Sequence, residues 1–203
     1  MILFRYTKID GAEYISHLDV LRHIGRTFTR AGIKVGYSQG YHPHMLVYLS
    51  APIGVGMKSL SEYCLIETEE PLENFADRFN EKSPRGLKCT GAWFTPKKVG
   101  VASDIVKAQY FISGLSDFDV NEIAAMPEFI IDLKDGKTRD VKSLIYSVER
   151  VEGGIRCVLG FSNGLRAERF AAKLKEMYGG ENIDIVKEKA LLSDGREFEY
   201  ILG

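Results

Sequence analysis

The sequence predicts an α+β protein made of two ferredoxin-like (βαββαβ) units in tandem. The first half has the order strand, helix, strand, strand, helix, strand, which is that of a split βαβ unit. The segment TPKKVGVASD follows and is typical of a linker, and a second mixed run of strands and helices lies beyond it. We therefore predict a first unit at residues 1–96, a linker at 95–104 and a second small α+β unit at 104–203.

The elements of the first unit have clear local signals. Residues 2–8 alternate apolar and polar side chains, which predicts a strand. Ser16 is a good N-cap with Asp19 three residues later, and Gly32 marks the helix end. Four apolar residues define the core stripe of that helix: Leu18, Leu21, Ile24 and Phe28. The other predicted elements are strands at 45–50, 61–68 and 87–94 and a helix at 71–82.

The second unit has a less regular pattern. An amphipathic helix is predicted at 165–178, and Glu152-Gly153-Gly154 predicts the turn of a hairpin. The KDGK turn at 134–137 ends a predicted strand. The remaining predicted elements are strands at 105–113, 129–133, 146–151, 155–161, 183–192 and 196–202, a short helix at 119–125 and a helical turn at 140–145.

Composition excludes several classes of protein. The chain has 203 residues, of which 45% are hydrophobic and 27% charged, as in soluble globular proteins. No apolar run approaches the ~20 residues of a membrane span, and the start MILFRYTKID lacks the pattern of a signal peptide. Cys64, Cys89 and Cys157 are far apart and fit neither a disulfide framework nor a C-x-x-C site. We expect a cytoplasmic protein without membrane association.

Charge is distributed unevenly along the first unit. From Met1 to Leu60 the chain has seven basic and three acidic residues, a net charge of +4, and all four histidines lie there. From Ser61 to Gly86 it has three basic and seven acidic residues, a net charge of -4. This polarity predicts one basic face.

Three arginines recur at every fourth position of the first predicted helix. Arg22, Arg26 and Arg30 therefore line up on the face opposite the core stripe. Guanidinium groups in such a row suit a series of phosphates, because each offers a bidentate donor fork. The alternative is a solvated basic face, or one paired with the acids that follow Ser61.

The loop after this helix is rich in polar and aromatic residues. Rings interleaved with arginine are typical of single-stranded RNA binding, and Tyr41 is the candidate for stacking on a base. His42 and His44 could contact nucleic acid or substrate, hold a metal together with His17, or be structural. The predicted polyanion-binding residues are Arg22, Arg26, Arg30, Gln39, Tyr41, His42 and His44, with supporting roles for His17, Ser38, Gly40 and Glu62. No metal site is predicted.

The stretch from Ser16 to Glu67 resembles the radical-SAM-linked proteins, a bacterial family. The shared elements include SHLD at 16–19, the spacing of the arginines, GYHP at 40–43, AP at 51–52 and EY at 62–63. Family members usually have Phe, and Asn or His, where this chain has Tyr41 and His42. The resemblance implies action with a cobalamin-type radical-SAM protein but no particular reaction.

The chain is not itself expected to be a radical-SAM enzyme. Such enzymes hold their cluster on three thiolates at C-x3-C-x2-C spacing, which the three cysteines do not provide. We predict an accessory protein without a cofactor, which binds RNA or another phosphate-bearing polyanion and acts with a radical-SAM partner. Two alternatives stay open: a metal-independent endoribonuclease that uses a loop histidine as its base, and a pure protein-interaction module.

Overall fold

The computed structural model describes residues 1–133, 136–161 and 165–202. The chain divides into two compact units, and the predicted α+β class is confirmed. Unit 1 comprises Met1–Ile105 with the C-terminal residues from Phe198, and unit 2 comprises Val106–Glu197. In the described ranges, no helix is both long and apolar enough to cross a membrane.

Unit 1 consists of one antiparallel sheet and two helices. The strands follow the order β4-β1-β3-β2 across the sheet. Tyr6 lies opposite Glu62 in the β1–β3 register, which then slips so that Lys8 lies opposite Ser59. The elements are β1 (Ile2–Lys8), α1 (His17–Ala31), β2 (Val47–Leu49), β3 (Lys58–Ile66), α2 (Phe75–Lys82) and β4 (Cys89–Phe94), with a short 3-10 helix (Ala12–Tyr14) before α1.

The core of unit 1 lies between the sheet and the two helices. Phe4 of β1 is fully buried, with its ring centroid 6.0 Å from that of Phe28 of α1 and 5.2 Å from that of Phe79 of α2. The Phe28 and Phe79 centroids are 5.6 Å apart. Each such side chain contributes roughly 2–3 kcal/mol through burial, so this cluster fixes both helices on the sheet.

Helix α1 begins and ends where the sequence predicts. Ser16 Oγ accepts a hydrogen bond from the Asp19 backbone N–H at 3.2 Å, and Gly32 ends the helix with φ +63°. Of the predicted core stripe, Ile24 and Phe28 are fully buried, whereas Leu18 is 62% exposed. The buried face is rotated toward Val20 and Thr27, and its buried residues are Val20, Ile24, Thr27 and Phe28.

Unit 2 also contains an antiparallel sheet, with strand order β10-β5-β9-β8. A separate two-stranded sheet pairs β6 with β7; of the KDGK turn predicted between them, residues 134 and 135 lie outside the described residues. Phe129 packs against Phe170 with centroids 5.3 Å apart. The elements are β5 (Lys107–Leu115), α3 (Asn121–Ala125), β6 (Ile130–Asp132), β7 (Thr138–Asp140), β8 (Ile145–Val151), β9 (Gly154–Gly160), α4 (Ala167–Tyr178) and β10 (Gly180–Leu191).

The strand predicted at 196–202 is wrong, because Phe198–Leu202 forms a 3-10 helix that belongs to unit 1. Phe198 is fully buried, with its ring centroid 5.0 Å from that of Tyr63. Glu199 accepts hydrogen bonds from Arg5, at 2.8 Å, and from the Tyr63 hydroxyl. The burial of Phe198 and the hydrogen bonds of Glu199 stabilise the 3-10 helix, although the alternation of apolar residues predicted a strand.

Candidate functional site

The loop between α1 and β2 is held closed at its base. Tyr37 and Met45 form an isolated β-bridge. The Ser38 hydroxyl lies 2.8 Å from His44 Nδ1 and accepts the His44 backbone N–H at 3.1 Å, and the Ser38 N–H donates to the His44 carbonyl at 2.9 Å. Gly40 has φ +127°, a region that glycine adopts readily. These contacts give the loop a defined shape, and we call residues 37–44 the Tyr41 loop.

The tip of the Tyr41 loop projects into solvent. Tyr41 is 94% exposed, and its ring meets that of His42 edge to face, with centroids 4.8 Å apart, as its one ring contact among the described residues. Gln39 and His42 are also exposed. A large aromatic side chain this exposed gains nothing from burial within unit 1, so its surface is available to another molecule.

The three arginines of α1 are not equivalent. Arg22 forms a 2.8 Å ion pair with Asp19. Arg30 donates to the Lys82 carbonyl at the end of α2, at 3.0 Å, and to the Thr27 hydroxyl at 3.2 Å. Arg26 is exposed and makes no hydrogen bond or ion pair with any described residue. Of the three guanidinium groups, that of Arg26 has no partner among the described residues, that of Arg22 is paired with Asp19, and that of Arg30 joins α1 to α2.

The loop base lies beside the turn of α1 that carries Arg22 and Arg26. A Cβ built on Gly25 would lie 3.5 Å from Met45 Sδ, so the chain leaving the loop packs against the helix there. Among the described residues, no hydrogen bond or ring contact joins either arginine to Gln39, Tyr41, His42 or His44. The structure thus brings the base of the loop, and not its side chains, against the helix.

A second group of polar side chains is buried under the start of α1. Tyr6, Lys8, His17 and Glu62 line one small cavity together with Val20 and Ile53, and we call it the Lys8 pocket. About 10 Å³ of it is open to the centre of a water molecule, which is room for about one water. Lys8 and Glu62 are each 3% exposed and Tyr6 is 2% exposed.

Glu62 is held in place by two serine hydroxyls. Ser50 donates to Oε2 at 2.9 Å and Ser59 donates to Oε1 at 2.7 Å. The Ser50 hydroxyl accepts the Tyr63 N–H at 3.2 Å, and the Ser59 hydroxyl accepts the Ser61 N–H at 3.2 Å. Each serine therefore links the carboxylate to the backbone of β3, and this network fixes its position.

Burial shifts the protonation equilibria of the pocket. Burial lowers the pKa of Lys8, although the carboxylates of Glu62 and Glu13 partly oppose this. The Lys8 amine donates one hydrogen bond, to the Glu13 carbonyl at 3.3 Å. Burial also lowers the pKa of His17, while burial and the charge of Glu62 raise the pKa of Tyr6 well above its ordinary value. Burial therefore disfavours the charged forms of Lys8, His17 and Tyr6, while the charge of Glu62 favours the charged forms of Lys8 and His17.

His17 and Glu62, the predicted supporting residues, lie together in this pocket and not in the Tyr41 loop. Tyr6 and Lys8 were missed by sequence reasoning. Their signal is periodicity, because Ile2, Phe4, Tyr6 and Lys8 alternate along β1 and so share its core-facing side. A lysine at the next alternate position after three apolar or aromatic residues of a strand is therefore expected to be buried.

The histidines do not assemble into a metal site. His17 lies in the Lys8 pocket, whereas His42 and His44 are exposed in the Tyr41 loop. Across the described ranges, no three His, Cys, Asp or Glu side chains are grouped so that they could hold a metal ion. Nor does any described carboxylate orient a loop histidine, so the endoribonuclease alternative gains no support.

Fold and site define a small α+β protein with one exposed aromatic loop and one buried polar pocket. Residues 1–183 match the model of a family described as "Uncharacterized protein conserved in bacteria (DUF2344)". The chain belongs to this family. A comparison with curated proteins finds no match.

Proposed function

We propose that this protein is an accessory factor that binds RNA, or another phosphate-bearing polyanion, through the Tyr41 loop and the adjacent face of α1. The observation that carries the proposal is the 94% exposure of Tyr41 on a loop closed by Ser38 and His44. A ring held out on a loop of defined shape can stack on a base with little loss of conformational entropy.

The proposal assigns the phosphate contacts to Arg22 and Arg26. Arg26 is exposed and has no hydrogen-bond or ion-pair partner in the part of the chain that the structure describes. The Arg22–Asp19 pair is exposed and so costs little to rearrange. Arg30 is given a structural role, because its guanidinium is bonded to the Lys82 carbonyl at 3.0 Å. Gln39 and His42, both exposed beside Tyr41, would make the polar contacts to the stacked base.

The tandem ferredoxin-like architecture is part of the proposal. The strand order β4-β1-β3-β2 places the first strand of unit 1 between its fourth and third. The order β10-β5-β9-β8 does the same in unit 2 when the separate β6–β7 pair is left out of the count, and both orders support a split βαβ unit in each half. Leu3, Tyr63 and Leu65, on the face of the unit 1 sheet that points away from its helices, are fully buried. RNA would therefore bind at the loop and not on the sheet.

A radical-SAM protein is the proposed partner. It is supported by the family resemblance of residues 16–67 alone, since a loop with an exposed aromatic tip is compatible with either RNA or protein contact. Affinity purification of the tagged chain from its host, with and without nuclease, tests the partner. If a radical-SAM protein is absent from both samples, the partnership is wrong, and if it is present only without nuclease, RNA bridges the two.

Binding of fluorescent single-stranded RNA tests the RNA proposal. Arg22→Glu with Arg26→Glu is expected to abolish binding, and Tyr41→Ala is expected to weaken it about 5- to 100-fold, the value of one stacked base of about 1–3 kcal/mol. Arg85→Glu is the matched charge control, because Arg85 is an exposed arginine of unit 1 outside the proposed surface. Equal binding by wild type, the double variant and Arg85→Glu would contradict the proposal.

A further inference from the structure

The Lys8 pocket lies outside the surface proposed for polyanion binding, and it gathers the groups of an acid–base site. Lysine is seldom buried without a full set of partners. Lys8 is 3% exposed, and among the described residues its amine makes one hydrogen bond, to the Glu13 carbonyl at 3.3 Å. An ammonium group has three N–H donors, so this hydrogen bond leaves two of them without an acceptor. Burial lowers the pKa of Lys8, against the opposing charge of Glu62, so its nucleophilic neutral form is easier to reach than that of an exposed lysine.

The other side chains of the pocket can move protons around that amine. Glu62 is a carboxylate fixed by Ser50 and Ser59. The buried hydroxyl of Tyr6 is kept protonated, and burial favours the neutral imidazole of His17. A proton acceptor and two potential proton donors therefore line the cavity that Lys8 lines.

We propose that the Lys8 pocket is a second site, at which the Lys8 amine forms an imine with a small aldehyde or ketone. A desolvated lysine beside proton-transfer groups is the arrangement that makes an amine nucleophilic near neutral pH. A carbonyl compound also matches the donors of the pocket, because its oxygen accepts hydrogen bonds that the Tyr6 hydroxyl and His17 can supply.

The reaction balances with the groups present. The nitrogen lone pair of Lys8 attacks the carbonyl carbon, the C–N bond forms, and the carbonyl oxygen takes a proton from the Tyr6 hydroxyl. The carboxylate of Glu62 removes the first proton from nitrogen and returns it to the Tyr6 oxyanion. Glu62 then removes the second proton from nitrogen and delivers it to the hydroxyl group, the C–O bond breaks, water leaves, and the C=N bond forms. The products are the imine and one water.

Access requires movement of Ile53. The cavity has room for about one water, so a carbonyl compound can enter only when this side chain moves away. Ile53 lies between Pro52 and Gly54 in the connection from β2 to β3. Gly56, with φ +91°, ties that connection to the Glu13 carbonyl through its N–H at 2.8 Å. We expect small carbonyl compounds to react and bulky ones to be excluded.

Reductive trapping tests the imine. The folded full-length chain is incubated near neutral pH with acetaldehyde and cyanoborohydride, and peptide mass spectrometry follows the alkylation of each lysine over time. Lys187 is the matched control, because it is also buried, at 2% exposure, but does not line the cavity. Lys8 is expected to react several-fold faster than Lys187, because Lys8 lines a cavity beside proton-transfer groups and Lys187 does not.

Tyr6→Phe sharpens the experiment, because it keeps the ring and removes the hydroxyl. It is expected to slow alkylation of Lys8 several-fold while the exposed Lys97 and Lys98 react as before. Equal alkylation rates at Lys8 and Lys187 would overturn the proposal, because they would show that both lysines react only when the protein unfolds. Alkylation confined to exposed lysines would also overturn it. Neither outcome bears on RNA binding, which uses the Tyr41 loop.

Discussion

Unit 1 contains two clusters of polar and aromatic side chains, one buried and one exposed to solvent. In the Lys8 pocket, Lys8, Glu62 and Tyr6 are each at most 3% exposed and are tied to the surrounding structure. In the Tyr41 loop, Tyr41 is 94% exposed and its ring contacts one neighbour. Substitutions in the pocket should therefore change folding, whereas substitutions at the loop tip should change only what binds there.

The largest expected effect is that of removing the pocket carboxylate. Glu62→Ala leaves the Ser50 and Ser59 hydroxyls without their acceptor and Lys8 without the nearby negative charge. We expect a loss of about 3–5 kcal/mol in the free energy of unfolding, measured by urea denaturation. Glu69→Ala, at an exposed position of the same unit, should change it by less than about 0.5 kcal/mol. A loss below about 1 kcal/mol for Glu62→Ala would contradict the expectation that substitutions in the pocket change stability more than those in the loop.

A smaller effect is expected where α1 begins above the pocket. Ser16→Ala removes the side-chain acceptor of the Asp19 N–H and should cost about 1 kcal/mol. Ser16→Asn keeps a capping oxygen and should restore most of the stability. If Ser16→Ala and Ser16→Asn unfold at the same urea concentration, the Ser16 cap does not stabilise the start of α1.

The pocket also predicts a dependence of stability on pH. Burial lowers the pKa of His17 from its ordinary value of 6.5; Glu62 opposes the shift and Lys8 adds to it. Between the folded pKa and 6.5, the unfolded chain binds more protons than the folded one, so stability falls as pH falls through 6.5 and levels off below the folded pKa. Urea denaturation at pH about 7.5 and about 5.5 should show a smaller difference for His17→Gln than for the wild type. An identical difference would contradict the assignment.

The smallest effect is expected at the loop tip. Tyr41→Ala should change the free energy of unfolding by less than about 0.5 kcal/mol, because its side chain buries almost nothing. Tyr6→Ala makes the same chemical change at a position 2% exposed and should cost about 3–5 kcal/mol. Comparable thermal midpoints for the two variants would show that the tip packs against the protein in solution.

Local patterns predicted most of unit 1. The cap at Ser16, the end at Gly32 and the bounds of β1 depend on neighbours within a few residues, and they were predicted correctly. The buried face of α1 was partly mispredicted, since Leu18 is exposed while Val20, in the same turn, is buried. Hydrophobic periodicity alone does not fix which edge of the apolar stripe faces the sheet.

The site was predicted less well because it depends on tertiary register. Alternation along β1 places Lys8 on the core-facing side, but its neighbours in the pocket, His17, Ile53 and Glu62, come from other parts of the chain. Arg30 leaves the proposed polyanion surface because α1 and α2 pack so that it meets the Lys82 carbonyl. Both sets of contacts join residues from different elements, and no local pattern specifies the partners.

The placement of Phe198–Leu202 in unit 1 has a consequence for synthesis. Arg5 lies in the first strand of the chain, and its partner Glu199 lies 194 residues later. Domains usually fold as they emerge from the ribosome, the N-terminal one first. In this protein, unit 1 contains residues from Phe198 onward, which are synthesised after all of unit 2. Unit 1 is therefore the first unit to be translated and the last to be completed.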